Sequence, residues 1–268
     1  MAISPELKFM PGIAATFTRA GLTGEIIKDI VLGSKNRDLG KDAKRLVAEY
    51  EKSVCISIMG LENIPNGGLI AFNHPDNDIL LPGMLKLIDG IHQNYDKDVA
   101  LVIASEIMLT QNLNEKTAIP GSVTFMKRIH GMYPNNIISA PTASHRRDFD
   151  MGRALAARKV IRNLNSGNLV AISPEGHVEV NGSISPIESF HSGTGALARL
   201  AAKLDKQVVP VGLFYIGKRT NIIVNIGTPF KTNVDSDTDA VNLIMQNISE
   251  LLPLNLRGPY KNTHAKRN

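Results

Sequence analysis

Short apolar runs alternate with stretches of helical periodicity along most of this chain. The runs are rich in Val, Ile and Leu and apolar at nearly every position, which is typical of strands that are covered on both faces. They lie at residues 53–60, 68–73, 99–104, 136–140, 168–173, 207–214 and 221–227. Helical patterns fall between several of them, near 79–92, 148–164, 193–205 and 237–251. The alternation predicts an α/β fold with a mixed, largely parallel sheet flanked by helices.

The start of the chain differs, because residues 1–52 have helical patterns and no convincing strand. We therefore predict a helical N-terminal segment (1–52), an α/β domain (53–256) and a basic C-terminal tail (257–268). One apolar stripe in the first segment fits a helix packed on the main body or, alternatively, a helix lying in a membrane interface. Its members recur at helical spacing: Ile13, Phe17, Ala20, Gly24, Ile27 and Val31.

The net charge and the aromatic content limit the classes of partner that the protein is expected to bind. The 268 residues carry a net charge of +5, which favours an acidic partner such as a phosphorylated substrate, an anionic membrane face or an acidic carrier protein. Nucleic acid is disfavoured, because Trp is absent, aromatic residues make up 5%, and no helix gathers its Lys and Arg into a stripe.

The single cysteine and the first residues bear on compartment. Cys55 lies in an apolar run that predicts a small buried side chain, and one cysteine cannot form an internal disulfide. The first residues lack the pattern of a secretory signal, and no window has the ~18 uncharged apolar residues of a spanning helix. We expect a cytoplasmic protein.

The first candidate catalytic residues lie in the segment NHPDND, which begins at the end of the apolar run 68–73. A histidine beside carboxylates can act as a general base that an aspartate orients. If a helix begins at Pro75, Asp78 lies about one turn beyond His74, and Asn73 and Asp76 can cap the turn. Two other interpretations stay open: a simple N-terminal capping cluster, or a metal site built from the histidine and aspartates.

A second informative stretch spans residues 168–214, in which the turn SPEGH follows a strand and SFHSGTGALA opens a helix. Backbone N–H groups near Gly176 or Gly193 could receive a phosphate or a developing oxyanion. The chain contains neither GxxxxGK[ST] nor GxSxG, so the sequence supports neither a P-loop nucleotide enzyme nor an ordinary serine hydrolase.

Together these segments resemble the glycerol-phosphate and lysophospholipid acyltransferases of the PlsC type. NHPDNDIL is similar to the family's first motif, NHxxxxD, although the spacing here is HxxxD. SPEGH with the later SFHSGTGALA is similar to its third motif, VVPVGL to its fourth, and IASEIML to its lysine-glutamate-leucine stretch. The resemblance covers roughly residues 55–230 in the family's order.

The resemblance implies an O-acyltransferase of phospholipid biosynthesis that needs no cofactor. His74 would be the general base, Asp78 would orient it, and Glu175 with Gly176 would bind the acceptor. The donor would be acyl-CoA or acyl-acyl carrier protein, and the acceptor a hydroxyl of glycerol 3-phosphate or a lysophospholipid. The enzyme would work as a peripheral protein at the cytoplasmic face of a membrane.

An acceptor phosphate needs cations, and Arg146 and Arg147 are the best candidates because they cluster with His145 before a helix. His177 and His191 occupy positions where the family has threonine and lysine, so each is either a residue of the site or a structural histidine. Two further functions remain as alternatives: an acyl- or lipid-binding family member with weak catalysis, and a metal-dependent hydrolase that uses His74 with Asp76 and Asp78.

Overall fold

The computed structural model describes residues 22–33, 36–107, 121–141, 149–179, 183–186, 193–217 and 221–261. Seven strands form one sheet in the order β1-β7-β6-β2-β5-β3-β4. Five of them, from β6 to β4, are parallel, while β7 and β1 run the other way. The predicted fold class is confirmed. The strands are β1 Cys55–Met59, β2 Gly68–Phe72, β3 Val99–Ala104, β4 Ile137–Ala140, β5 Leu169–Ile172, β6 Gln207–Ile216 and β7 Asn221–Ile226.

The helices cover both faces of the sheet. They are α1 Leu22–Leu32, α2 Leu39–Tyr50, α3 Asn77–Tyr95, α4 Ser122–Met132, α5 Phe149–Asn165, α6 Gly193–Lys203 and α7 Asp237–Glu250. One apolar layer joins the sheet to α2 and α3, and the other joins it to α5, α6 and α7. Strand β2 shows why its run is apolar throughout, since Ile70 and Phe72 belong to the first layer and Leu69 to the second.

A part-buried ion pair within the N-terminal segment is hydrogen-bonded to residues at the end of α4. Arg37 binds the carboxylate of Asp42 with two nitrogens, at 2.7 and 2.8 Å. The hydroxyl of Tyr133, directly after α4, donates to Asp42 at 2.8 Å, and the Arg37 N–H donates to the carbonyl of Met132. In addition Ile30 of α1 is buried in the first apolar layer. The described part of this segment therefore packs on the main body.

The prediction for Cys55 was wrong, because its side chain is exposed. It begins β1, which forms one edge of the sheet and has a partly exposed face. At the other terminus Tyr260 is buried, so the start of the basic tail packs on the protein, and residues 262–268 lie outside the described part. Within the described ranges no helix has the length and apolar character needed to cross a membrane.

Candidate active site at the carboxyl edge of the sheet

The two segments singled out in the sequence meet at one edge of the sheet. Strands β2 and β5 are parallel neighbours in which Ala71 pairs with Ile172, so both end at the same level. The turn that follows β2, residues 73–76, therefore faces the loop that follows β5, residues 173–179. The carboxyl ends of strands in open α/β sheets are where such proteins commonly bind ligands.

Asn73 ties the first turn to the neighbouring strand β6. Its side chain is 1% exposed. Its Oδ1 accepts from the N–H of Leu213 at 2.8 Å, and its Nδ2 donates to the carbonyl of Leu213 at 3.1 Å. The same Nδ2 donates to Glu179 at 2.7 Å. Asn73 thus takes the place of a further strand residue opposite Leu213, which fixes the point from which the chain leaves β2.

The loop after β5 holds the main chain of His74 on both sides. Its N–H donates to Oε2 of Glu175 at 2.8 Å. Its carbonyl oxygen accepts from the N–H of Glu179 at 2.8 Å. A residue bound at both main-chain groups has little freedom in φ and ψ, so the direction of the His74 side chain is fixed by residues more than a hundred positions later.

The imidazole of His74 is in the uncharged form, which is the form that can accept a proton. Burial lowers its pKa to about 4, so the ring is neutral at pH 7. Its Nδ1 is buried and has no hydrogen-bond partner among the residues that the structure describes. A buried polar atom without a partner is costly, and a contact made on substrate binding would recover that free energy.

Helix α3 does not begin at Pro75, the start that would place Asp78 about one turn beyond His74. Asp76 is the N-cap, with φ −50° and ψ 148°, and the helix starts at Asn77 rather than at Pro75. His74 therefore precedes the helix, and Asp78 is not related to it by a helical turn. The described side chains contain no hydrogen bond between the His74 ring and Asp78. Asp76 is exposed, and its side chain makes no capping bond.

Glu175 has a different environment from the one expected of an acceptor-binding residue. It is fully buried, and its second oxygen accepts from the N–H of Ser185 at 3.0 Å. Burial raises its pKa, although both N–H donors oppose that shift. His177 is bonded at both ring nitrogens, to the carbonyl of Glu175 at 2.7 Å and to the Ser185 hydroxyl at 3.1 Å. Gly176 between them is exposed, with φ +64°. This arrangement makes His177 a satisfied structural histidine and Glu175 a brace for two main-chain segments.

Sequence reasoning missed Glu179. It is buried, and its carboxyl group lies close enough to Glu175 that the two charges oppose each other. Burial first, and the charge of Glu175 second, raise the pKa of Glu179 to about 8. Nothing in the stretch HVEVNG marks this glutamate as buried, because its partner Asn73 lies 106 positions earlier. A paired acid whose pKa is strongly shifted is a marker of functional sites.

Tyr215 of β6 supplies a hydrogen bond that the first turns of α3 lack. Pro82 lies inside this helix and has no N–H, so the carbonyl of Asp78, four residues earlier, has no helical donor. The hydroxyl of Tyr215 donates to that carbonyl at 3.1 Å. The part of α3 that carries Asp78 is therefore attached to the strand next to β2.

The hydrogen bond from Tyr215 predicts that substitutions at positions 215 and 82 are coupled in their effect on the free energy of unfolding. Tyr215→Phe should destabilise the protein by about 1 kcal/mol, because the Asp78 carbonyl loses its donor. Pro82→Ala supplies a helical N–H for the same carbonyl, so Tyr215→Phe should cost less in that background. Urea unfolding of the four proteins of this double-mutant cycle gives the coupling free energy. If the two substitutions changed the free energy of unfolding additively, the Tyr215 hydroxyl would not be replacing the missing helical donor.

Several predicted residues lie outside the described part of the chain. Arg146 and Arg147 fall in 142–148, and His191 falls in 187–192. Among the described cations, Arg128 of α4 donates to the carbonyl of Ile30 at 3.1 Å, which caps the end of α1. Within the described residues no three His, Cys, Asp or Glu side chains are grouped so that they could hold a metal ion.

Comparisons with known proteins give one informative finding. No protein-family model matches the chain, and no curated protein matches it. Among solved structures, one match is the 1-acyl-sn-glycerophosphate (LPA) acyltransferase PlsC from Thermotoga maritima. The two are 18% identical over 98% of each chain, with a TM-score of 0.48. This likeness is remote in sequence and in geometry.

Proposed function

We propose that the protein is an O-acyltransferase that moves a fatty acyl chain from an acyl thioester to a hydroxyl of glycerol 3-phosphate or a lysophospholipid. The observation that carries the proposal is a neutral imidazole, that of His74, held at the carboxyl edge of the sheet by the loop after β5. The order of the sequence segments around it, from NHPDND to SPEGH to VVPVGL, supports the same reaction.

The reaction needs one base and no protein nucleophile. Nε2 of His74 takes the proton of the acceptor hydroxyl as the hydroxyl oxygen attacks the thioester carbonyl carbon. The carbon–sulfur bond then breaks, and the thiolate leaves with the proton that the imidazole carries. The products are an oxygen ester and a thiol, and His74 returns to its neutral form.

Asp78 is the proposed partner of the imidazolium. If Nε2 takes the proton, Nδ1 must carry a hydrogen, and this is the buried atom that has no partner in the described structure. In this proposal the first turn of α3 moves on acceptor binding and brings the carboxylate of Asp78 to it. Catalytic hydrogen bonds often tighten in this way only when substrate is present.

Glu175 serves this proposal as a positioning residue, since both of its oxygens are used by main-chain donors. Gly176 is exposed beside it and is the proposed point where a main-chain N–H meets the acceptor or the oxyanion. Arg146 and Arg147 remain the proposed cations for an acceptor phosphate. The acyl donor, acyl-CoA or acyl-acyl carrier protein, would bind to the protein at the cytoplasmic face of a membrane. That membrane would take up the acylated product.

One observation favours a second candidate function, that of a protein which binds acyl chains or lipid and catalyses transfer only weakly. The His74 ring and Asp78 form no hydrogen bond among the described residues, which is the arrangement of a site that lacks an oriented base. This candidate predicts lipid binding without release of thiol.

The deciding experiment measures thiol release from palmitoyl-CoA and palmitoyl-acyl carrier protein with glycerol 3-phosphate, with lysophosphatidic acid and with no acceptor. Release that depends on an acceptor supports the transferase and identifies the acceptor. Release without acceptor points to hydrolysis, and a loss of that release with a chelator to a metal-dependent hydrolase. No release with any pair, together with binding of palmitate, supports the second candidate.

The pH dependence of transfer gives a separate prediction. Because the base must be neutral and its pKa is about 4, kcat/KM should stay constant from pH 7 to about 5 and fall only as the pH approaches 4. An unperturbed histidine would already lose activity near pH 6.5. Initial rates after brief exposure to each pH measure this limb, with circular dichroism to show that the fold persists. An acid limb near 6.5 would contradict a buried, neutral base.

A further inference from the structure

The site contains a residue that the proposed reaction does not use, the buried acid Glu179. It touches the turn after β2 with two separate groups. Its main-chain N–H donates to the carbonyl of His74 at 2.8 Å, and its side-chain Oε1 accepts from Nδ2 of Asn73 at 2.7 Å. The two contacted residues are consecutive, so Glu179 bridges the side chain of Asn73 and the carbonyl of His74.

The side chain of Glu179 determines where its main chain lies. Asn73 is itself fixed, because its amide makes two hydrogen bonds with the main chain of Leu213 in β6. A carboxyl group bonded to this fixed amide places residue 179 beside the next carbonyl, that of His74. If that bond is removed, nothing else in the described residues anchors the side chain of residue 179 to the turn.

We propose that Glu179 is a positioning residue that fixes the main chain of His74 through Asn73. The proposal rests on the proposed function, because it assigns a role in placing the base of that reaction. Glu175 fixes the N–H of His74, and Glu179 fixes its carbonyl.

The acid form of Glu179 suits this role. Its neighbours with charge are Glu175 in the same loop and Asp76 in the turn after β2, and both disfavour a further negative charge. Burial adds to their effect, and together they raise its pKa to about 8. A neutral acid can still accept from Asn73 through one oxygen, and it adds no negative charge that would raise the pKa of the His74 ring.

The experiment compares three variants, Glu179→Gln, Glu179→Asp and Glu179→Ala, with two measurements. The first is the titration of the His74 ring by NMR, with its signal identified by its loss in His74→Ala. The second is kcat and KM for transfer. Glutamine has the shape of the neutral acid and accepts from Asn73, so it should retain the wild-type titration and at least half of kcat. Alanine, or aspartate that is one methylene too short, should raise the His74 pKa by one unit or more and lower kcat at least tenfold, with KM changed less than threefold.

A matched control separates positioning from lost stability. Val241→Ala truncates a buried side chain on α7, in the apolar layer of the other face, and should leave the His74 titration unchanged. If Glu179→Ala does not fold, Glu179→Asp decides the question. The proposal would be overturned if a folded Glu179→Ala or Glu179→Asp protein kept the wild-type pKa of His74. It would also be overturned if Val241→Ala shifted that pKa by the same amount. If the wild-type protein transfers no acyl chain, the proposed function fails, and the NMR titration still decides whether Glu179 positions His74.

Discussion

Replacing His74 with alanine is expected to lower acceptor-dependent thiol release by about 10²–10⁴-fold, the usual contribution of a general base. The fold should persist, because the ring makes no hydrogen bond through its buried Nδ1 in the described structure, and the main-chain contacts to Glu175 and Glu179 remain. Thiol release under saturating donor and acceptor measures the loss, and circular dichroism with urea unfolding checks the fold.

His92 provides the matched control for this variant. It lies near the far end of α3 and also has a buried Nδ1 without a hydrogen bond among the described residues. His92→Ala removes the same kind of group at a distance from the carboxyl edge of β2, so transfer should stay near the wild-type rate. Near-wild-type transfer by a folded His74→Ala protein would remove His74 from the mechanism.

The aspartates after His74 refine the same prediction. Asp78→Asn should lower kcat more than Asp76→Asn, because Asp76 is exposed at the N-cap and its side chain makes no capping bond. The reverse order would make Asp76 the partner of the histidine.

The second large effect is expected on stability, at Glu175. Its two oxygens accept from two buried main-chain donors, the N–H groups of His74 and Ser185. Glutamine has one acceptor oxygen, so Glu175→Gln must turn an amide N–H toward one of these donors. One buried N–H then lacks an acceptor, which costs about 1–3 kcal/mol of unfolding free energy. Urea unfolding at pH 7 measures the change.

The same substitution at position 179 is the control. Within the described residues only Oε1 of Glu179 is hydrogen-bonded, and glutamine can supply that acceptor. Glu179→Gln should therefore change the unfolding free energy by less than about 1 kcal/mol. Equal costs at positions 175 and 179 would show that the two main-chain bonds to Glu175 do not have the importance assigned to them.

The sheet was predictable because its strands are covered on both faces. Strand residues GLIAF include no polar side chain, and all seven runs became strands with ends within two residues of those predicted. Helix α4 was not predicted, since SVTFMKRIHGM mixes β-branched, basic and glycine positions without a clear apolar stripe. The exposure of Cys55 was missed because a run does not reveal that its strand lies at an edge.

The site was predictable in its position and less so in its contacts. NHPDND and SPEGH each follow a predicted strand, and they meet because β2 and β5 are parallel neighbours. Proline is common in a first turn, but here Asp76 is extended and the helix begins at Asn77 rather than at Pro75. The braces made by Glu175, Glu179 and Tyr215 join positions far apart in the chain, and local pattern carries no information about such pairs.

The buried contact between Asp42 and Tyr133 joins residues 91 positions apart. On the ribosome Asp42 therefore emerges long before its partner, by roughly 5–20 s at the usual 5–20 residues per second. During that interval the apolar faces of α1 and α2 have neither α4 nor the completed sheet to cover them. Helices α1 and α2 are thus made early, but their contacts with the rest of the fold are completed late.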